Sequence, residues 1–318
     1  MDKKDREIIY HLDKDARLTF SQLAKLTKSS QETIRYRINN LTKKEIIKKY
    51  VTIINATKLG IIPCQIFLKL QNLDEKSKEK AISSLAKEEK VAWIANLEGN
   101  YDLAIIIGAK NPLEFQEVVR KIFRLFNNQI LKKTISVHMS GEFLPRDYLI
   151  DKKRTVSQNP KYLPEKTATT LNKKDKQICS LLAKDGRVSF VNIAVKMKIS
   201  ADSVAQRFKK LKKENIILGS LLTLNQEKTN QLYYKVLLHL TNLSKEKITN
   251  LLNKIKQNNR VLAVVETLAE WDYEIDIEVE HPNQLREFVM NLTKEFSSII
   301  KDYESIRIIN MPKYEFVA

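Results

Sequence analysis

Lys14-Asp15-Ala16-Arg17, followed by Phe20, Ala24, Ser30, Arg37, Leu41 and Ile46-Ile47, has a second copy in this chain. A shift of 170 residues lays Lys184-Asp185, Arg187, Phe190, Ala194, Ser200, Arg207, Leu211 and Ile216-Ile217 on those positions without a gap. Downstream, Asn72-Leu73, Asp102, Ile105 and Pro112 meet Asn242-Leu243, Asp272, Ile275 and Pro282 in the same register. A register kept for so long means two copies of one structural unit, and the period is far above that of a solenoid.

The start of each copy reads as three short helices. Asp2 or a neighbour starts the first, with Ile8, Ile9 and Leu12 inward, and Thr19 caps the second. Ser29 with Glu32 has capping-box spacing for the third. There Ile34, Ile38 and Leu41 fall on one face. The outer face carries Glu32, Tyr36, Asn39 and Lys43, flanked by Gln31, Arg35 and Asn40. In the second copy the outer face carries Asp202, Gln206, Lys209, Lys210 and Lys213. The alternation over residues 50–54 predicts a wing hairpin, which completes a winged helix-turn-helix. Long polar side chains on such a helix suit base edges in the major groove, and lysines suit phosphates.

Charge supports that reading. The chain carries +18, of which residues 1–60 hold +7 and residues 171–230 hold +8. Basic segments beside near-neutral ones indicate a polyanion-binding module joined to something else. The two cysteines, Cys64 and Cys179, have no partner at metal spacing, so a disulfide scaffold and a cysteine zinc site are not expected. The charged N-terminus and the lack of a long apolar run predict a cytoplasmic protein with no membrane partner.

The remainder of the first copy reads strand 64–70, helix 74–87, strand 91–97, strand 103–109, a helix from Pro112 and a strand 130–139. The order β-α-β-β-α-β is the ferredoxin-like split motif, and the second copy repeats it. The fold class is therefore α+β, with two tandem copies of a winged helix-turn-helix plus a ferredoxin-like module. The expected domains are 1–60, 61–150, a linker 151–170, 171–230 and 231–318. Leu103-Ala104-Ile105-Ile106-Ile107 is apolar on both faces and needs a cover. Glu274, Asp276, Glu278 and Glu280 alternate with Ile275, Ile277 and Val279, which predicts one wet, acidic face and unequal interfaces between the two sheets.

This arrangement resembles the Lrp/AsnC (feast/famine) transcription regulators. The resemblance is carried by Leu12-Asp13-Lys14-Asp15-Ala16-Arg17, Leu23-Ala24, Ile34…Arg37-Ile38…Leu41, Ile46-Ile47 and Glu98-Gly99-Asn100-Tyr101-Asp102, and covers nearly the whole chain, twice. It implies sequence-specific binding of double-stranded DNA through the N-terminal modules. It also implies pairing of the ferredoxin-like sheets, as an intrachain pseudo-dimer or a homo-oligomer. An amino-acid effector would sit at Gly99, Asn100, Tyr101 and Asp102. The same four residues also suit a plain turn capped by Asp102. The second copy has Ala269-Glu270-Trp271-Asp272 there, without the glycine, so a site in that copy is expected to be lost or changed.

Two other readings stand beside the regulator. Some tandem proteins of this kind resemble siroheme decarboxylases, which rely on His and Arg around a tetrapyrrole. Here His11, His138, His239 and His281 are scattered in sequence. The expectation is a protein that is not an enzyme, with no catalytic residue, metal or cofactor assigned. The third reading is a DNA-organising protein without effector control.

Overall fold

The computed structural model describes residues 1–154, 159–241 and 244–316. The repeat match at Asn242-Leu243 and residues 155–158 of the expected linker lie outside them.

Each copy begins with three capped helices. In the first copy they are α1 (Lys3–Lys14), α2 (Phe20–Leu26) and α3 (Gln31–Lys43), followed by strand β1 (Ile47–Ile54). Asp2 and Thr19 make capping boxes at α1 and α2. The third cap is Ser30, whose hydroxyl accepts from Thr33 N at 3.1 Å, one residue later than the Ser29–Glu32 spacing suggested. The first head buries Ile8, Ile9, Leu12, Leu23, Ile34, Ile38 and Leu41 together.

No hairpin follows α3. Strand β1 instead pairs antiparallel with β7 (Ile217–Leu224), its own counterpart in the second copy. Val51 faces Leu221, and the two are 170 residues apart, so a local two-fold axis runs between them. The exchange reaches into the cores. Leu224 packs in the first head, and Ile54 packs in the second among Ile178, Leu182, Ile193 and Val204. Each of these two side chains is almost wholly buried, which contributes about 1.5–3 kcal/mol apiece. The second head is built from α6 (Lys173–Lys184), α7 (Phe190–Met197) and α8 (Ala201–Lys213).

The first ferredoxin-like module comprises β2 (Ile62–Leu70), α4 (Glu75–Ala86), β3 (Val91–Glu98), β4 (Leu103–Ala109), α5 (Pro112–Phe126) and β5 (Ile130–Phe143). Within the bridge, β6 (Lys161–Tyr162) pairs with β5. After the short helix α9 (Gln226–Thr229) come β8 (Leu232–Leu240), α10 (Lys245–Gln257), β9 (Val261–Leu268), β10 (Tyr273–Val279), α11 (Pro282–Glu295) and β11 (Ile300–Tyr314). The two sheets do not merely stack. They join at both edges, β3 to β11 and β5 to β9, and the β2–β5 pairing completes a closed eight-stranded barrel. The joins are equivalent. Glu98 pairs with Arg307, and the 170-shifted pair, Leu268 with Val137, is present as well.

Closure decides which faces are dry. The helices cover one face of each sheet over cores that include Ile66, Ile94 and Ile105 in one module and Val236, Ile275 and Ile277 in the other. The uncovered faces turn inward, where Phe67 meets Tyr101 and Trp271, each at 5.2 Å between ring centroids. The doubly apolar strand β4 thus finds its cover inside the barrel. The acidic face of β10 is not wet: Glu274 and Glu278 are buried and Asp276 is largely so, because even-numbered residues of that strand point inward. Only Glu280, past the strand, reaches solvent.

Candidate DNA-binding faces and the barrel chamber

On α3, the side chains of Gln31, Glu32, Arg35, Tyr36, Asn39 and Lys43 are exposed and Asn40 is half-buried. Tyr36 stands 68% exposed, an unusual position for so large an aromatic unless something covers it. On α8, Asp202, Gln206, Lys209, Lys210 and Lys213 are all exposed, with Lys212 beside them. Arg37 and Arg207 do not join these faces. The Arg37 guanidinium donates to Asp2 and Asp5 at 2.7 and 2.8 Å, and that of Arg207 donates to Asp175 at 2.7 Å, which ties each third helix to the first. Arg35 lies over the Phe20 ring at 5.3 Å. The backbone N–H at the start of α3 and the Ser30 hydroxyl hold the Glu32 carboxyl below its usual range.

The heads are clasped to each other. Arg17 donates to the carbonyls of Gly186 and Val188 at 2.9 and 3.0 Å and stacks on Phe190 at 4.4 Å. Arg187 returns the contact to the carbonyls of Ala16 and Leu18. An Asp-x-Arg turn that looked like a family signature is therefore a reciprocal latch, visible only once the two copies face each other.

Gly99, Asn100, Tyr101 and Asp102, where an effector was expected, form the four-residue connection between β3 and β4. Gly99 has φ +133°, a region that favours glycine. The Asp102 carboxylate accepts from Leu70 N at 2.7 Å and from Lys69 Nζ at 2.9 Å. Asp272 accepts from Leu240 N at 2.7 Å in the same way, without any glycine in its loop. Tyr101 points into the barrel, where its hydroxyl donates to Thr134 at 2.9 Å.

A polar cluster in the barrel was missed by sequence reasoning. Lys235 Nζ lies 2.8 Å from both Glu274 Oε2 and Asp276 Oδ1. The Ser136 hydroxyl and the Trp271 indole N–H donate to Glu274 Oε1 at 3.0 and 3.1 Å. The Tyr233 hydroxyl donates to Asp276 at 3.1 Å. His138 Nε2 lies 2.8 Å from Gln65 Oε1 and 3.8 Å from Glu274. Burial pulls the His138 imidazole below its ordinary value against the opposing pull of Glu274. Burial would raise Glu274, but Lys235 and His138 bring it below the usual carboxylate range.

Beside this cluster is a cavity of about 90 Å³ with aromatic walls from Trp93, Phe143, Tyr162, Tyr233, Tyr314 and Phe316. A second cavity of about 170 Å³ shares Tyr233, Asp276 and Tyr314 and runs toward the heads. There Arg146 bridges head and barrel. Its guanidinium donates to Asp13 at 2.7 Å and to both Glu278 oxygens at 2.8 and 3.0 Å. Burial keeps Asp13 above the usual carboxylate range despite that partner.

A family model described as winged helix-turn-helix DNA-binding matches residues 1–48 and 171–217, the two heads. The chain is 31% identical over 125 residues to the HTH-type transcriptional regulator FL11 of Pyrococcus abyssi, which spans 38% of this chain and 82% of that one. An uncharacterized HTH-type transcriptional regulator of Haemophilus influenzae is 25% identical over 123 residues, or 38% of this chain and 73% of the relative. Among solved structures, the siroheme decarboxylase NirDL superposes with a TM-score of 0.62 at 13% identity, over 99% of this chain and 93% of that one. That match overturns the expectation of a protein that is not an enzyme. The fold, taken end to end, is shared with one. Among the described residues, no helix is long and apolar enough to cross a membrane.

Proposed function

We propose that this chain, which belongs to the HTH-type, Lrp/AsnC-like transcriptional-regulator family, binds one DNA duplex through two unequal recognition helices, α3 and α8. The observation that carries the reading is the pairing of two exposed polar helices by the Val51–Leu221 ribbon, each on a basic head. Two heads related by a local two-fold suit two half-sites on successive turns of a duplex. Tyr36 and Asn39 stand where Gln206 and Lys209 stand in the second copy, so the half-sites differ in sequence. Selection of bound sequences from a random pool by the intact chain tests this. Two dissimilar half-sites are expected, and a perfect palindrome bound by a single chain contradicts the reading. Affinity is also expected to fall steeply with salt, since lysines meet phosphates.

An amino-acid effector at Gly99, Asn100, Tyr101 and Asp102 belongs to this reading. Calorimetry with a panel of amino acids tests it, and absence of heat with every one removes the role.

A siroheme-decarboxylase-like enzyme is the second reading, and it has its own support. The fold matches that of NirDL over 99% of this chain. It also has a histidine, His138, in the barrel. A tetrapyrrole would need the chamber to open. A cavity near 150 Å³ holds only a benzene-sized guest, and the aromatic cavity here is about 90 Å³. Siroheme added to the purified chain tests this. A shifted absorption spectrum with carbon dioxide release supports the enzyme, and a featureless titration rejects it.

A further inference from the structure

We propose that the aromatic cavity in the barrel is a binding site for one compact organic cation, a small primary or methylated ammonium, per chain. Nothing in the DNA-binding reading requires this site.

The charges around the cavity favour a bound cation. The cluster beside the cavity sets one ammonium, Lys235, against two carboxylates, Glu274 and Asp276, all but out of reach of solvent. His138 lies farther off, 3.8 Å from Glu274, and its nearest partner is the neutral Gln65 amide at 2.8 Å. The neighbouring Arg146 is already shared by Asp13 and Glu278. An excess negative charge in a low-dielectric interior is costly unless a counter-charge is bound. The aromatic wall suits a cation as well. Trp93, Tyr162, Tyr233 and Tyr314 line the cavity together with Asp276, His138 and Lys235, whose ammonium lies 6.0 Å from the Trp93 ring centroid and leaves the three tyrosine faces to a guest. Aromatic faces attract a cation through their quadrupole, most strongly when it is desolvated. The cavity's volume of about 90 Å³ admits a few heavy atoms and no more.

The site's position explains how it can be single. Pro63 and Tyr233, Trp93 and Ala263, and Ile106 and Asp276 are pairs related by the 170-residue shift, and both members of each pair line this one cavity. It therefore lies beside the local two-fold, and the counterparts of Ala92, Tyr314, Glu315 and Phe316, namely Leu262, Leu144, Pro145 and Arg146, line the second cavity instead. Two identical subunits would place either two aspartates or two isoleucines there. Only unequal copies can offer one carboxylate opposite an apolar wall.

Calorimetry and thermal unfolding of the full chain, without DNA, with methylammonium, tetramethylammonium and choline chlorides against sodium acetate at equal ionic strength, test the proposal. At least one cation is expected to bind at one per chain and to raise the unfolding temperature, while acetate does neither. Glu274→Gln, which keeps the shape and removes the excess charge, is expected to weaken binding tenfold or more. Wild-type protein that ignores all three cations overturns the proposal, as does a folded Glu274→Gln variant of unchanged affinity. Should that variant fail to fold, Trp93→Leu decides, because it alters no charge. Its affinity is expected to drop at least fivefold, and an undiminished value rejects the site.

Discussion

Arg17 and Arg187, 170 residues apart, each insert a guanidinium into the other's turn and bind its carbonyls. A hydrogen bond from a charged donor contributes about 1.5–3 kcal/mol, and truncation also leaves part-buried carbonyls without that partner. Arg17→Ala and Arg187→Ala are each expected to lower stability by about 2–3 kcal/mol in urea unfolding. Because the two contacts form one latch, the double variant should cost less than the sum of the single ones. Strict additivity would show that the two act independently.

The DNA-binding reading separates lysines from polar readers. Lys209→Ala and Lys213→Ala should each weaken binding to every sequence alike and lower the slope of log affinity against log salt by about 1. Gln206→Ala and Tyr36→Ala should instead relax preference at one half-site each, at different positions. Salt titrations with matched and half-site-scrambled duplexes distinguish the two classes. A lysine variant that alters preference but leaves the slope untouched would refute the assignment.

Acid should destabilise the barrel in a defined window. The His138 imidazole is below its ordinary 6.5 in the folded chain, because burial disfavours the cation. The unfolded chain then takes up a proton that the folded one does not, so stability falls as pH drops below about 6.5. The slope from one such histidine is at most about 1.4 kcal/mol per pH unit. His11 is lowered for the same reason and adds to it. Denaturation curves at pH 7 and 5.5 should converge partly in His138→Gln. An unaltered pH dependence in that variant would mean His138 titrates normally.

Asp102 and Asp272 make the same backbone hydrogen bond in both copies, although only one loop keeps its glycine. Asp102→Ala and Asp272→Ala are each expected to cost about 1.5–3 kcal/mol, the value of a charge-assisted bond. An effector held at the first loop predicts more: loss of amino-acid binding in Asp102→Ala alone. Equal effects of both variants on stability and none on ligand binding would leave Asp102 a purely structural cap.

The heads were legible because their signals are local. Ile34, Ile38 and Leu41 repeat at helical spacing, and Thr19 sits where a cap belongs. What failed involved partners far along the chain. Residues 50–54 do form a strand, yet its neighbour lies about 170 residues away rather than across a turn. Alternation in β10 correctly separated Glu274 and Asp276 from Ile275 and Ile277. It could not say which face is dry, because that depends on β3 meeting β11 and β5 meeting β9. Lys235 meets the carboxylates across the β8–β10 pairing within one module, whereas His138, on β5, comes within reach of Glu274 only because β5 joins β9.

A ring of eight strands has no first or last member. Divided at the bridge, each half would be left with two bare strand borders, β3 and β5 in one and β9 and β11 in the other. Unsatisfied strand borders recruit whatever backbone they meet, including further copies of themselves. Separately produced halves should therefore fall out of solution alone and recover when mixed, and covalent fusion would serve this protein first as protection against its own adhesiveness.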